Sequence, residues 1–286
     1  MTPGDPIDPY AFGSTDAEHD RLIRQAVYLA PLTERLFRDA GIGFGQRVLE
    51  LGSGVGEVAM LVAKLVGPSG EVLGVERDSR SVVRARARIA TAGLHNVSFT
   101  QCDVSQVQAV DLFDAVVGRF ILQFVPDPKD ILRRVSQLVR PGGIVAFQEV
   151  SYAPSLPLCT DLRLWSATAS LVHETLMRSG VKTDLGIELF RLFQEAGLPA
   201  PSMNMETLLG RDPDFTRWTY DLLCSLLPRV REQKLSLEHL GDFATLLPRL
   251  QAEVMASNAV VPFCAVVGAW SHKRPPTKAP EVSCRT

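Results

Sequence analysis

Residues 47–57 read Arg-Val-Leu-Glu-Leu-Gly-Ser-Gly-Val-Gly-Glu, an apolar strand that runs straight into a glycine loop. Such a loop can lay backbone amides against a ligand, because Gly52, Gly54 and Gly56 carry no Cβ. The helix predicted from about Glu57 to Leu65 would aim its first N–H groups at whatever the loop holds, and Ser53 sits among them. The spacing is Gly-x-Gly-x-Gly, not the Gly-x-Gly-x-x-Gly of a dinucleotide fingerprint. Glu57 follows at once, and its carboxylate would repel a pyrophosphate. An adenosine with a compact, partly cationic tail fits better. A second apolar strand, Glu71–Val75, ends in Glu76, an acid placed to accept both hydroxyls of a ribose lying over the loop. A third, Asn96–Gln101, ends at Cys102-Asp103-Val104. There the Asp103 carboxylate could accept from an adenine amine while Val104 offers its amide to the ring. Each acid has an ordinary alternative role, Glu76 beside a helix dipole and Asp103 as a turn cap. Together, at successive strand tips, they argue for a site.

These residues need a frame to bring them together. Phe113–Val117 reads as a fourth strand and Gly143–Glu149 as a fifth, introduced by Arg140-Pro141-Gly142-Gly143. Helical stretches at Asp78–Ala92 and Asp130–Val139 separate the strands. Strand, helix, strand at this period means βαβ units, an α/β fold and a parallel sheet that binds ligands at its carboxyl edge.

The order Val48-Leu49-Glu50-Leu51-Gly52-Ser53-Gly54-Val55-Gly56, then Glu76, then Asp103, then Arg140-Pro141-Gly142-Gly143 resembles a class I methyltransferase that uses S-adenosylmethionine. The likeness covers roughly residues 20–150. It implies a Rossmann-like, seven-stranded, mostly parallel sheet whose strand seven is antiparallel, with helical lid insertions. It also implies S-adenosylmethionine as cofactor, S-adenosylhomocysteine as product, and a cofactor site built from Gly52, Ser53, Gly54, Gly56, Glu76, Cys102 and Asp103. Arg77 and Val104 would flank the adenine, and Gly118-Arg119-Phe120 would pass beside the methionine part, bringing Arg119 to the site. Arg21, Gln25 and Tyr28 share one face of a predicted helix, about Asp16–Ala40; by the same resemblance, Gln25 and Tyr28 close the cofactor site.

The whole chain suits a soluble cytoplasmic enzyme. Its 286 residues carry a net charge of −2, so no basic field awaits nucleic acid or an anionic membrane. The longest apolar run, Ala259–Trp270, contains Pro262 and falls short of the roughly 20 residues a membrane span requires. The first residues carry no secretory pattern. Five cysteines (Cys102, Cys159, Cys224, Cys264, Cys284) form an odd set without a Cys-x-x-Cys pair, which argues for reduced thiols and against structural zinc.

The expected division is an N-terminal lid segment and helix over 1–40, a donor-binding core over 41–150, lid helices plus completion of the sheet over 151–272, and a disordered tail over 273–286. Residues 1–12, proline-rich, are expected to be mobile until something docks on them. Past residue 150 the pattern predicts helices at Thr160–Ser179, Asp184–Ala196, Asp214–Val230 and Leu237–Ser257. It predicts strands at Met203–Leu209 and Val260–His272. The inserted helices would form a lid that excludes water and shapes a substrate pocket. An apolar lid helix could pair with its twin in a homodimer.

Trp165, Ala169 and His173 fall on one helical stripe, and Tyr10, Phe12, Phe124 and Tyr152 are aromatic residues that could stack on a flat acceptor. His19 and His173 are the candidate bases. The segment after strand four, Gly118-Arg119-Phe120-Ile121, lacks the Asn/Asp-Pro-Pro-aromatic motif of enzymes that methylate planar amides. Arg119 also breaks the acidic pattern of metal-assisted catechol enzymes, leaving Glu149 and Asp127 nearby, so no metal is expected. Where many relatives carry a histidine, this chain has Gln123 and Phe124.

The outline resembles bacterial methyltransferases of quinone and natural-product biosynthesis, with the opening Asp16-Ala17-Glu18-His19-Asp20-Arg21-Leu22. Tyr10-Ala11-Phe12-Gly13 adds a likeness to enzymes that methylate indole C3 in tryptophan-containing cyclodipeptides. The implied substrate is a small aromatic or heterocyclic metabolite. A non-methylating enzyme or a metabolite sensor that keeps the cofactor pocket is the alternative.

Overall fold

A computed structural model describes residues 10–275 of the chain. Strand β1 (Arg47–Leu51) and β4 (Phe113–Arg119) lie at the centre of a seven-stranded sheet. β2 (Glu71–Glu76) and β3 (Val97–Gln101) extend it on one side. β5 (Val139–Ser151), β9 (Ala265–His272) and β6 (Ser202–Glu206) extend it on the other, giving the order β3-β2-β1-β4-β5-β9-β6. β9 runs antiparallel to both neighbours, and the β1–β5 pairings are all parallel. Near-continuous apolar runs such as Val48–Leu51 follow from burial on both faces of the sheet.

Helices α1 (Asp16–Asp39), α2 (Glu57–Val66) and α3 (Ser79–Thr91) supply one apolar layer, with Phe37, Val62, Val82 and Ala85 packed on Val48, Val72 and Phe99. Helices α4 (Pro128–Gln137) and α6 (Leu185–Glu195) cover the other face through Leu132, Val135, Leu189 and Phe193. A third cluster unites α1, α5 (Arg163–Arg178), α7 (Pro213–Glu232) and α8 (Leu246–Ala256), and forms the lid. Each fully buried Leu or Phe contributes about 1.5–3 kcal/mol.

Five expected elements differ from those observed. The strand expected over Met203–Leu209 stops at Glu206; Leu209–Gly210 (β7) pairs instead with Val261–Pro262 (β8) in a separate two-stranded ribbon. The final strand is correspondingly split: Pro262 has no N–H to give a ladder, and the Phe263 amide goes to Leu208 O at 2.8 Å. The helix expected over Leu237–Ser257 forms only from Leu246, because Gly241 turns the chain at φ +69° and Asp242 caps a separate short turn through Ala244 N. β5 in turn is longer than Gly143–Glu149 and β4 continues to Arg119, which puts that residue at a strand tip.

Residues 1–9 and most of the expected tail, 276–286, lie outside the described residues. Within it, Lys273 is tied down, its N–H to Gly143 O and its Nζ to Val139 O. Residues 10–12 are likewise packed: Ala11 is buried and Phe12 lies beneath the Arg21 guanidinium. No helix among the described residues is long and apolar enough to cross a membrane.

Gly56 shows how tightly the glycine loop is built into this frame. It has φ +86°, and an added Cβ would lie 2.9 Å from Phe99 Cζ and 3.2 Å from Ala85 Cβ. Gly56→Ala should therefore destabilise the fold by about 1–3 kcal/mol, read as a lowered midpoint in urea denaturation; an unchanged midpoint would refute this packing role.

Candidate active site

The carboxyl ends of β1, β2, β3 and β4 open into one cavity of about 820 Å3, closed over by α1, α7 and the turn after β4. At one end the glycine loop forms its floor. Gly54 has φ +50° and an added Cβ there would meet nothing within 4 Å, so the backbone borders open space. Its N–H donates to Glu76 Oε2 at 2.9 Å, while Glu76 Oε1 accepts from Asp78 N at 3.0 Å. A carboxylate oxygen has two lone pairs, so each can still accept from a ligand hydroxyl. Asp103 caps the turn after β3, accepting from Ser105 N and Oγ at 2.8 and 2.6 Å. Those two bonds hold its carboxyl below the usual range. The turn-cap role and the cavity position thus coincide in one side chain.

Beneath the loop lies a charged layer in which the expected Arg119 is joined by Glu50, a residue the sequence analysis had not assigned to the site. Glu50 projects from β1 among buried groups, lines the cavity, and leaves Oε2 without a partner. Burial pushes its carboxyl up to about 8, against the pull of the Arg119 charge. Arg119 at the tip of β4 is itself drawn down to about 10 by burial, opposed by Glu50 and Glu57. Its guanidinium donates to Thr33 Oγ1 of α1 at 3.1 Å. Ser53 Oγ is a second buried, unpartnered polar atom on the cavity wall. A charged residue within Val48-Leu49-Glu50-Leu51 was a visible signal, since an unpaired acid in a buried strand is costly.

The turn after β4 is held from behind. Glu149 of β5 accepts from the amides of Ile121 at 3.0 Å and Leu122 at 2.8 Å, and burial pushes its carboxyl up to about 8 despite those bonds. Phe120 sits at φ +56°, a conformation that costs a non-glycine residue energy. It is kept there while its N–H donates to Gln148 O at 2.8 Å.

The far end of the cavity is aromatic. Tyr10, Phe12 and Phe124 form a cluster with ring centroids 5.0–6.2 Å apart. Tyr152, Trp218 and Phe263 continue the wall. A buried ion pair there is internally neutralised: Glu18 accepts from Arg21 Nε and Nη2 at 2.7 and 2.6 Å, and Arg21 Nη1 donates to Gln25. Burial alone would lower the Arg21 guanidinium, but the Glu18 charge and hydrogen bonds raise it. Burial also raises the Tyr152 phenol and the Cys264 thiol well above their ordinary values.

Of the expected cofactor residues, Gln25, Gly52, Ser53, Gly54, Glu76, Arg77, Asp103, Val104 and Arg119 line this cavity, as do Tyr10, Phe12, Phe124, Tyr152 and His19. Others are placed elsewhere. Gly56 packs against α3 and β3, and Cys102 lies beside the cavity with its thiol against Asp103 O. Tyr28 turns toward α7, its ring edge-on to Phe215 at 5.3 Å. His173 lies behind the wall, stacked on Tyr152 at 5.3 Å and 3.0 Å from Thr183 Oγ1. Trp165 and Ala169 line a separate smaller chamber. His19 does reach the cavity, but at the glycine-loop side, with Nε2 3.1 Å from Ser81 Oγ. Trp218, Leu222, Phe263 and Cys264 had no signal in the sequence, because lid packing alone brings them to the wall. Among the described residues, no group of three or more His, Cys, Asp or Glu could hold a metal ion.

Residues 43–197 match the methyltransferase domain family. An arsenite methyltransferase of Aquipseudomonas alcaligenes is 34% identical over 114 residues, 37% of this chain and 33% of that protein, so the chain spans about a third of that relative's length. A demethylmenaquinone methyltransferase of Staphylococcus aureus is 29% identical over 178 residues, covering 57% of this chain and 72% of the relative. The solved structure of BH2331 from Bacillus halodurans superposes with a TM-score of 0.58 at 16% identity, covering 85% of this chain and 99% of that one, a likeness of fold. The chain belongs to the methyltransferase domain family and has the fold of the class I enzymes, whose methyl donor is S-adenosylmethionine.

Proposed function

We propose that this chain transfers a methyl group from S-adenosylmethionine to a small, uncharged aromatic or heteroaromatic metabolite. The observation that carries the acceptor class is the aromatic end of the cavity, where the buried Glu18–Arg21 ion pair is closed on itself. A narrower version, methylation at indole C3 of a tryptophan-containing cyclodipeptide, draws support from Tyr10 and Phe12 standing in that wall. A quinol-type ring would suit the same wall.

The polar end fits the donor. Glu76 offers two oxygens to a ribose, Asp103 lies at the adenine side, and Gly54 leaves room for a ligand against backbone. Glu50, with an unpartnered oxygen beneath the loop, suits a cationic amino group. When bound, S-adenosylmethionine supplies a methyl carbon that its sulfonium sulfur has already made electrophilic. The chain's own task is then to hold the accepting atom in line and keep water out. Positioning of this kind is worth about 7–11 kcal/mol, against roughly 3–5 kcal/mol for a general base. Tyr152 and Cys264 keep their protons near neutral pH, so they orient an acceptor as hydrogen-bonding groups and do not deprotonate it.

Purified protein incubated with S-adenosylmethionine and a panel of phenols, quinols, indoles and cyclodipeptides should yield a methylated product and S-adenosylhomocysteine. Binding of the donor without turnover of any member would instead favour the sensor reading. Glu76→Ala should weaken S-adenosylhomocysteine binding by about 1.5–3 kcal/mol per charged bond lost, a ten- to hundred-fold rise in Kd; unchanged affinity would remove Glu76 from the ribose site. The Glu50 carboxyl is protonated below about pH 8, and a cationic group beside it requires the charged form. Donor binding should therefore release a proton and tighten as pH rises from 6 to 8, approaching about tenfold per unit, with the slope flattened in Glu50→Gln. Calorimetry in buffers of differing ionisation enthalpy measures this directly, and a pH-independent Kd in the unmodified chain would count against the pairing.

A further inference from the structure

Behind the aromatic wall, between α5 and α7, the structure holds a second chamber of about 50 Å3. Tyr152, Trp218, Leu222, Phe263 and Cys264 line both spaces, so they form the partition between them. Within that partition the Trp218 and Phe263 rings meet edge-to-face, and Trp218 is only half-buried. The chamber's far wall includes Trp165, Ala169, Cys159 and Val172, and no residue lining it carries a formal charge. On this measure of volume one water needs about 10–15 Å3, so the space is that of a short alkyl branch, or of a single ring once Trp218 turns aside.

One atom marks the chamber as more than a packing defect. Ser155 is 6% exposed, lines the chamber, and its Oγ has no hydrogen-bond partner. A buried, unanswered hydroxyl costs stability, and so does an empty apolar space beside it. The second cost falls when an apolar group enters, and the first when that group carries one polar atom within reach of Ser155 Oγ.

We propose that the acceptor is two-lobed. Its reacting ring lies against Tyr152 and Phe263, and an uncharged, mainly apolar arm passes Trp218 into the chamber between α5 and α7. This deepens the methyltransferase reading, on which it rests for the position of the reacting ring. It makes Ala169 and Trp165 determinants of specificity toward the arm, and it excludes acceptors whose arm ends in a carboxylate, phosphate or ammonium, since no charged group waits there to pair with one.

The full chain can be titrated with two neutral fluorescent probes that differ only in the second lobe, 1-naphthylamine and N-phenyl-1-naphthylamine. The unmodified chain should prefer the phenyl-bearing probe by at least about tenfold, the value of burying one more ring. Ala169→Phe fills the chamber from α5 and should bring the two affinities to within about twofold. Ser166→Leu narrows the same space from the next turn and serves if Ala169→Phe does not fold. No preference in the unmodified chain, or a preference that survives in a folded variant, overturns the proposal. Titrating the same preparations with S-adenosylhomocysteine separates the two readings: loss of that binding in the unmodified chain refutes the donor assignment, whereas loss of probe discrimination alone refutes only the two-lobed acceptor.

Discussion

The carboxylate of Glu76 joins pieces of chain that would otherwise be independent. One oxygen takes the Gly54 amide from the loop after β1, and the other takes the Asp78 amide at the head of α3. Asp78 in turn accepts from Ser81 N at 2.6 Å, and Ser81 Oγ meets His19 of α1. A continuous polar path thus runs from the cavity floor to the helix that roofs it. The loop glycines adopt left-handed conformations because they carry no Cβ, and this path, together with Phe99 and Ala85 against Gly56, fixes where the loop lies.

A second path fixes the other wall. Glu149 collects the amides of the turn after β4, and Arg119 reaches from the end of β4 to Thr33 on α1. The buried charges are therefore not scattered. Glu50 and Arg119 oppose each other's displacement under the loop, while Glu18 and Arg21 cancel beside the aromatic wall. The cavity that results is polar with spare acceptors at one end and aromatic, with Glu18 and Arg21 paired to each other, at the other. That division gives a single space two chemically different ends.

How much of this could be read in advance differs by region. Strands β1 to β5 and the helices between them follow the apolar periodicity closely, because burial on both faces marks the central strands and the caps of α3 and α4 (Asp78, Asp127) are local. The second half is harder. Pro262 and Gly241 interrupt patterns that otherwise look continuous, and the strength of those breaks depends on partners far away, as with Phe263 N and Leu208 O. Tyr28 and His173 share their helical faces with cavity residues, yet Phe215 and Tyr152 engage them first. Spacing along a helix reports which residues share a face, and it says nothing about which neighbouring element that face meets.

By itself the sequence determined the parallel sheet, the glycine loop and the acids at successive strand tips, since these depend on short-range periodicity and on residue types with few alternatives. Tertiary structure alone decided that Glu50 leaves an unpartnered oxygen at the cavity, that Trp218 and Phe263 complete its aromatic wall, and that Trp165 and Ala169 face a chamber of their own. The last two come from helices separated by scores of residues packing into one apolar cluster, and non-directional burial of that kind leaves no local pattern to read.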